Sequence, residues 1–175
     1  NVDTVSSVEG FYLTDFADTF YGGGKEPWVV INHRAARMNL GKLYATLDIG
    51  APRFCADQPV HIGGPVESNR GFVLHTQDHM LPGSLPVTHE IGLTSSIEIL
   101  RDITNGTGPT HSIVSLGCAG WHAGQLEDEL AANVWLSMPA TSDLVFRDDT
   151  SDIWKDAYGL LGVDPVHFVS DTGSA

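Results

Sequence analysis

VHIGGPVESNRGFVLH, residues Val60 to His75, is the stretch on which the fold turns. Its start belongs to a run from Gln58 to Ile62 that reads as a strand. Gly63-Gly64-Pro65 breaks that run, because glycine opens positive φ to the backbone and Pro65 fixes the exit. A second short strand is expected over Gly71–His75. Strands this short, interrupted by this many glycine turns, do not suit a doubly wound parallel sheet. The chain therefore reads as α+β, with a mixed, largely antiparallel sheet that curls on itself.

Working outward, a strand is expected near Gly10–Thr14, followed by a glycine turn at Gly22-Gly23-Gly24, and a buried strand at Trp28–Ile31. Leu40, Leu43, Tyr44 and Leu47 recur at helical spacing, with Asn39 as cap and Gly50 as stop. Asp78–Pro86 reads as a loop and Ile91–Leu93 as a strand. Ser95 and Glu98 have capping-box spacing for a helix whose face is Ile97, Leu100 and Ile103, stopped by Asn105-Gly106. Ser112–Leu116 reads as a strand and Gln125–Ala132 as a helix with an acidic face. Short strands are expected at Val134–Ser137 and Asp143–Phe146. A last helix over Asp152–Leu161 has Ser151 as cap, Gly162 as stop and the stripe Ile153, Trp154, Ala157, Leu160, Leu161.

The 175 residues suit one domain spanning 1–175. Apolar residues at 42% and charged residues at 18% fit a globular protein. No apolar run approaches a membrane span, and Asn1–Gly10 lacks the pattern of a signal peptide, so a cytoplasmic location is expected. Cys55 and Cys118 are too few for a disulfide framework and are expected as free thiols. Acidic residues outnumber basic ones 22 to 9, a net charge of −13. Nucleic-acid affinity rests on clustered Lys and Arg, so the charge argues against direct binding of DNA or RNA and favours a basic protein partner.

Three stretches together resemble the AlgH/YqgE family of bacterial proteins. Val60–His75 is similar to its "GGP…RGF-hydrophobic-LH" signature, and GCAGWHAGQLEDELAANVWL, Gly117–Leu136, is similar to its "AGW…GQLE…E…N.WL" segment. Val29-Val30-Ile31-Asn32 and the Leu40–Leu47 helix resemble the strand and helix upstream. The match runs over 28–175, while residues 1–27 diverge from the family's N-terminal strand pair. His33-Arg34 stands where the family has a basic residue and proline, and Cys118 replaces an aromatic. The resemblance implies a bifurcated sheet folded into a pseudo-barrel with helices packed against it. It implies no catalytic residues and no cofactor. Some members carry the name of transcriptional regulators.

Candidate sites follow from the residues themselves. Gly63 and Gly64 can form an anion-binding nest or simply a tight turn. Arg70 can clamp an anion or pair with a carboxylate such as Glu67 or the 127–129 cluster. Trp121 stands between Gly120 and Gly124 in a strand-to-helix connection, where with Gln125 it can face a ligand or anchor the core. Cys118 needs a nearby base to act as a nucleophile, and His122 is its sequence neighbour. His75 and His79 are the metal-capable pair in a cluster with Asp78, His89 and Glu90, without an H-E-x-x-H pattern. Glu127, Asp128 and Glu129 point different ways on a helix and suit its N-terminal dipole instead.

No catalytic constellation assembles from these residues. The expected function is therefore binding of another protein through tryptophan anchors at 28, 121, 135 and 154. The alternative is a small-ligand protein or enzyme with a cleft between Gly63–Arg70 and Gly117–Gln125.

Overall fold

The computed structural model describes residues 10–13, 19–22, 28–132, 135–148 and 152–162. Among the described residues, ten strands and five helices follow in the order β1 (Gly10–Leu13), β2 (Thr19–Gly22), β3 (Val29–Val30), β4 (Arg34–Asn39), α1 (Leu40–Leu47), β5 (Pro59–Ile62), β6 (Val66–Thr76), β7 (Leu85–Pro86), β8 (Ile91–Thr94), α2 (Ile97–Asn105), β9 (Ser112–Cys118), α3 (Gln125–Ala131), β10 (Leu136–Met138), α4 (Ser142–Val145) and α5 (Ile153–Leu160).

The strands form two sheets. One is a four-stranded antiparallel sheet, β10-β1-β2-β3, and the other a six-stranded mixed sheet, β4-β5-β9-β6-β8-β7, in which only β5 and β9 run parallel. The larger sheet is open, with β4 and β7 at its edges. It meets the smaller one where Trp28 bridges Ala119 and Val30 N–H donates to Gly63 O at 2.9 Å. This is the α+β, largely antiparallel arrangement expected from the sequence, divided as the resemblance implied, with the six-stranded sheet not closed into a barrel. The divergent N-terminus still supplies a strand pair: Phe11 faces Tyr21, and Tyr12 faces Phe20.

Alternation along the strands divides the large sheet into two faces. Phe72, Leu74, Ile91, Leu93 and Ile113 pack under α4 and α5 with Val145, Ile153, Ala157 and Tyr158. Val60, Val73 and Val114 face the other way and are covered by Leu40, Leu43 and Tyr44 of α1 and Ile99, Leu100 and Ile103 of α2. Tyr44 fastens the two helices together. Its hydroxyl donates to Leu100 O and lies 2.7 Å from the Thr104 hydroxyl.

Several expectations shift. Asn39 caps α1 as anticipated, its Oδ1 accepting from Lys42 N–H at 3.0 Å, but the helix ends at Asp48 in the left-handed region (φ 52), before Gly50. Ser96, not Ser95, caps α2, accepting from Glu98 N–H; Gly106 ends it at φ 76. Asp143–Phe146 is not a strand. Its amides turn back on Thr141 and Ser142 to make α4, burying the adjacent residues Leu144 and Val145 as a strand would not. Strand β6 extends well beyond Gly71–His75, so Arg70 lies inside it. Strands β2, β4 and β7 had no counterpart in the sequence reading, β7 falling at the end of the expected Asp78–Pro86 loop, where it pairs with β8; β4 is a polar, half-exposed edge with Arg37 at φ 66 and an irregular register. In α5 the buried stripe is Ile153, Ala157 and Tyr158, while Leu160 is 68% exposed. The expected cap Ser151, Val134 and the turn residues Gly23 and Gly24 lie outside the described residues.

Candidate functional site

The glycine turn between β5 and β6 is pressed against the end of β9. Gly63 N–H donates to Leu116 O at 2.8 Å. A Cβ on Gly63 would stand 2.2 Å from Gly117 O, and one on Gly64, at φ +150, 2.3 Å from the carbonyl carbon of Cys118. Gly117 (φ +76) returns the contact, since its Cβ would meet Gly64 O at 2.3 Å. Only glycine lets two backbones approach this closely. The amide of Gly63 is already spent on the fold, which leaves it out of an anion nest.

Cys118 sits immediately beyond this junction, buried among Val29, Ile31 and Phe72. Burial, and then the Glu67 carboxylate, push its thiol up, with Arg70 opposing, so the reactive thiolate is disfavoured. Arg70 donates to Glu67 at 2.9 Å across an exposed pair, and its guanidinium lies 5.1 Å from the centre of the Phe72 ring. The pairing with Glu67 is one of the two that the sequence offered. Both residues border a wide, shallow depression with Pro65, Ser68 and Asn69.

Beyond Ala119 the chain builds a side-chain assembly. Trp121 meets Trp28 edge-on at 5.8 Å and Trp135 edge-on at 5.7 Å. Glu129 of α3 holds both outer indoles: its Oε2 accepts from Trp121 Nε1 at 2.8 Å and from Trp135 Nε1 at 2.6 Å. Its Oε1 accepts from Gln125 Nε2 at 2.9 Å, while Gln125 Oε1 accepts from His122 N–H at 3.1 Å. Burial works to raise the Glu129 pKa, but the bonds from Trp135, Gln125 and Trp121 prevail and hold it below the ordinary glutamate value. Trp28 is buried; Trp121 and Trp135 remain half-buried over Leu126 and Leu130. Glu127 and Asp128 sit exposed in the first turn, as helix geometry required.

The structure brings Trp121 and Gln125 together through Glu129, which the sequence reading had grouped with Glu127 and Asp128 as charge suiting the helix dipole; its carboxylate serves the indoles instead. Its signal was the i, i+4 spacing from Gln125 on a helix face. The partner Trp135 lies past the helix end and carried no such clue.

The histidines have other employment. His75 is fully buried, its Nδ1 2.9 Å from Thr76 O and its Nε2 2.8 Å from the Thr94 hydroxyl. His79 Nε2 pairs with Asp102 at 2.9 Å, and exposed His89 lies 3.6 Å from Glu90. Among the described residues no three His, Cys, Asp or Glu side chains are grouped to hold a metal ion. His61 was not singled out from the sequence. It is buried beside Arg34 with neither ring nitrogen in a hydrogen bond, and burial, then Arg34, lower its pKa to about 4. The Val114 backbone pulls the other way without reaching hydrogen-bonding geometry.

A cleft and a slot lie away from the glycine junction. A cleft of about 450 Å³ runs past Phe54, Gln58, Thr110, His111, Phe146 and Asp148, with His111 stacked on Phe146 at 6.0 Å. A smaller slot of about 160 Å³ opens between α1 and α2. Among the described residues no helix is long and apolar enough to cross a membrane.

Fold and site together define an α+β protein in which an open mixed sheet and a small antiparallel sheet meet at a glycine junction flanked by tryptophans. The AlgH-like family model matches residues 28–166, and the chain belongs to that family. It is 43% identical over 147 residues to a UPF0301 protein of Rhodospirillum rubrum, covering 84% of this chain and 77% of that one. A UPF0301 protein of Agrobacterium fabrum is 44% identical over 71% of this chain, an alignment spanning only 62% of the relative. Among solved structures, AlgH from Pseudomonas aeruginosa is similar with a TM-score of 0.74 and 31% identity over 95% of both chains. A protein from Corynebacterium diphtheriae, 16% identical, shares the fold with a TM-score of 0.67 over 86% of this chain and 85% of its own.

Proposed function

We propose that this protein works by binding another protein, through the face formed by Trp121, Trp135 and α3, and carries out no chemistry of its own. The observation behind this reading is Glu129: one carboxylate fixes two half-exposed indoles, so both rings are held rigid before any partner arrives. Rigid aromatic surface binds at low entropic cost, and tryptophan leads among interface anchors. The exposed Glu127 and Asp128 beside the rings and the net charge of −13 favour a basic partner. A regulatory role of the kind the family resemblance raised then runs through that partner in the cytoplasm, not through direct contact with nucleic acid.

The test is site-specific photo-crosslinking in cells. A crosslinking residue replacing exposed His122 is expected to give one discrete adduct, sensitive to salt, while the same residue replacing exposed His89 gives none. Equal adducts from both positions, or none from His122, would end this reading. The ligand-binding alternative between Gly63–Arg70 and Gly117–Gln125 has less in its favour, because at Gly63, Gly64 and Gly117 the two loops meet backbone to backbone.

A further inference from the structure

Gly71 stands inside β6, opposite Leu116 of β9, where regular pairing resumes after an irregular stretch from Val66. Its φ lies outside the left-handed region; the strained residue of the irregular stretch before it is Glu67, at φ 47. A Cβ at Gly71 would touch nothing within 4 Å. Glycine weakens a strand interior; here it closes the irregular register that runs from Val66 to Gly71, and it also leaves space for the close approach of another molecule.

The open space at Gly71 belongs to the slot between α1 and α2. Leu43, Leu47, Val73, Ile97, Leu100 and Leu116 supply its walls, and Leu47 stays 43% exposed at this site. None of the lining side chains is charged. Its polar groups, Asn69, Ser95 and Ser96, lie where β8 ends beside the first half of β6. A volume of about 160 Å³ matches the apolar cavities that take up a single benzene-sized ring.

We infer that the slot at Gly71 is a binding site for a small, neutral, apolar molecule about the size of one ring, which the missing side chain leaves room for. The uncharged walls exclude an ionised ligand, whose desolvation nothing there would repay. Ser95, Ser96 and Asn69 can accept or donate one hydrogen bond at the polar end. This site is separate from the tryptophan face, and its success or failure leaves the protein-binding reading untouched.

The experiment is a titration of the 175-residue chain with toluene, followed through the methyl NMR signals of Leu43, Leu100 and Val114. Saturable shifts of these methyls, with little response from Val145 or Ile153 on the opposite face, are expected. Benzoate at the same concentrations is expected to leave them in place. Gly71→Leu, which fills the slot from within, is expected to weaken toluene binding at least tenfold. Gly71→Ala, adding one methyl, weakens it less and serves where the leucine variant fails to fold. Shifts that stay linear in toluene, spread equally over both faces, or persist in the filled variants would overturn the inference, as would equal binding of benzoate.

Discussion

A side chain at Gly64 would begin 2.3 Å from the carbonyl carbon of Cys118, whereas one at Gly71, farther along the same segment, would meet nothing within 4 Å. At the first position the β5–β6 turn is packed backbone to backbone against the end of β9 and the glycine is the condition of closure. At the second, two helices span a strand and the glycine leaves a space beneath them. The same letter therefore marks a place where the molecule is as full as it can be and a place where it is not. What separates them is the neighbour that the rest of the fold brings, and that neighbour is far away in the chain.

The largest expected effect tests this contrast directly. Gly64→Ala places a Cβ against fixed backbone at a φ that alanine resists, and should cost about 4 kcal/mol. Against a total stability on the order of 5–15 kcal/mol that brings the urea midpoint down sharply. Gly71→Ala should leave stability unchanged or raise it by up to about 1 kcal/mol, since it adds a methyl to open space and stiffens the unfolded chain. Equal losses from the two variants in parallel urea titrations would dissolve the distinction.

The next effect carries the contrast from space to polarity. Tyr44 is buried with its hydroxyl engaged, while His61 is buried with both ring nitrogens idle. The folded imidazole, with a pKa of about 4, stays neutral as pH falls through 6.5, where the unfolded chain takes up a proton. The unfolded state thus binds more protons between those values, and stability drains away as pH drops from 6.5 towards about 4, then levels off for this group. The loss is about 3 kcal/mol at about 1.4 kcal/mol per pKa unit. Urea unfolding at about pH 7 and pH 5 is expected to show His61→Leu losing less stability than the parent. An unchanged pH dependence would place the acid sensitivity elsewhere, His75 being the other buried histidine whose burial lowers its pKa.

The smallest effect concerns the tryptophan face, where every polar atom of the central side chain is used. Glu129→Gln weakens the acceptor of two indole N–H bonds and should cost about 1 kcal/mol at this half-buried position. Its folded pKa is depressed, so its contribution is present above the ordinary glutamate value and fades as pH falls through the folded one. The Nε1–H signals of Trp121 and Trp135 should both move in the variant. If only one moves, the carboxylate does not serve the two rings jointly.

How much of this was legible in the sequence depended on how far apart the cause and its effect lie. The helix over Leu40–Leu47 and the stop at Gly106 were readable because their caps lie within a few residues of the elements they bound. Strand β4 was not, because RAARMN has no alternation; pairing with β5 makes it a strand despite its composition. Asp143–Phe146 carried β-branched and aromatic residues yet closed into a turn of helix, with Ser142 N–H donating to Glu90 across the fold. At the site, Trp121 and Gln125 were visible because they share one connection. Trp135 lies beyond the helix, and His61 and Gly71 owe their character to strands and helices remote in the chain.

The strand order has a consequence for how the molecule is assembled. β5 and β6 are neighbours in the chain, joined by the Gly63-Gly64 turn, but they are not neighbours in the sheet, because β9 lies between them. Until β9 is available, β4-β5 and β6-β8-β7 are two half-sheets, each with an unsatisfied inner edge. The strand that welds them is made after both, so this sheet's own pairings of highest sequence separation close it last, a topology that folds slowly and keeps adhesive edges open meanwhile. A nascent chain ending before Ser112 would hold five of the sheet's six strands and lack the one that joins its halves.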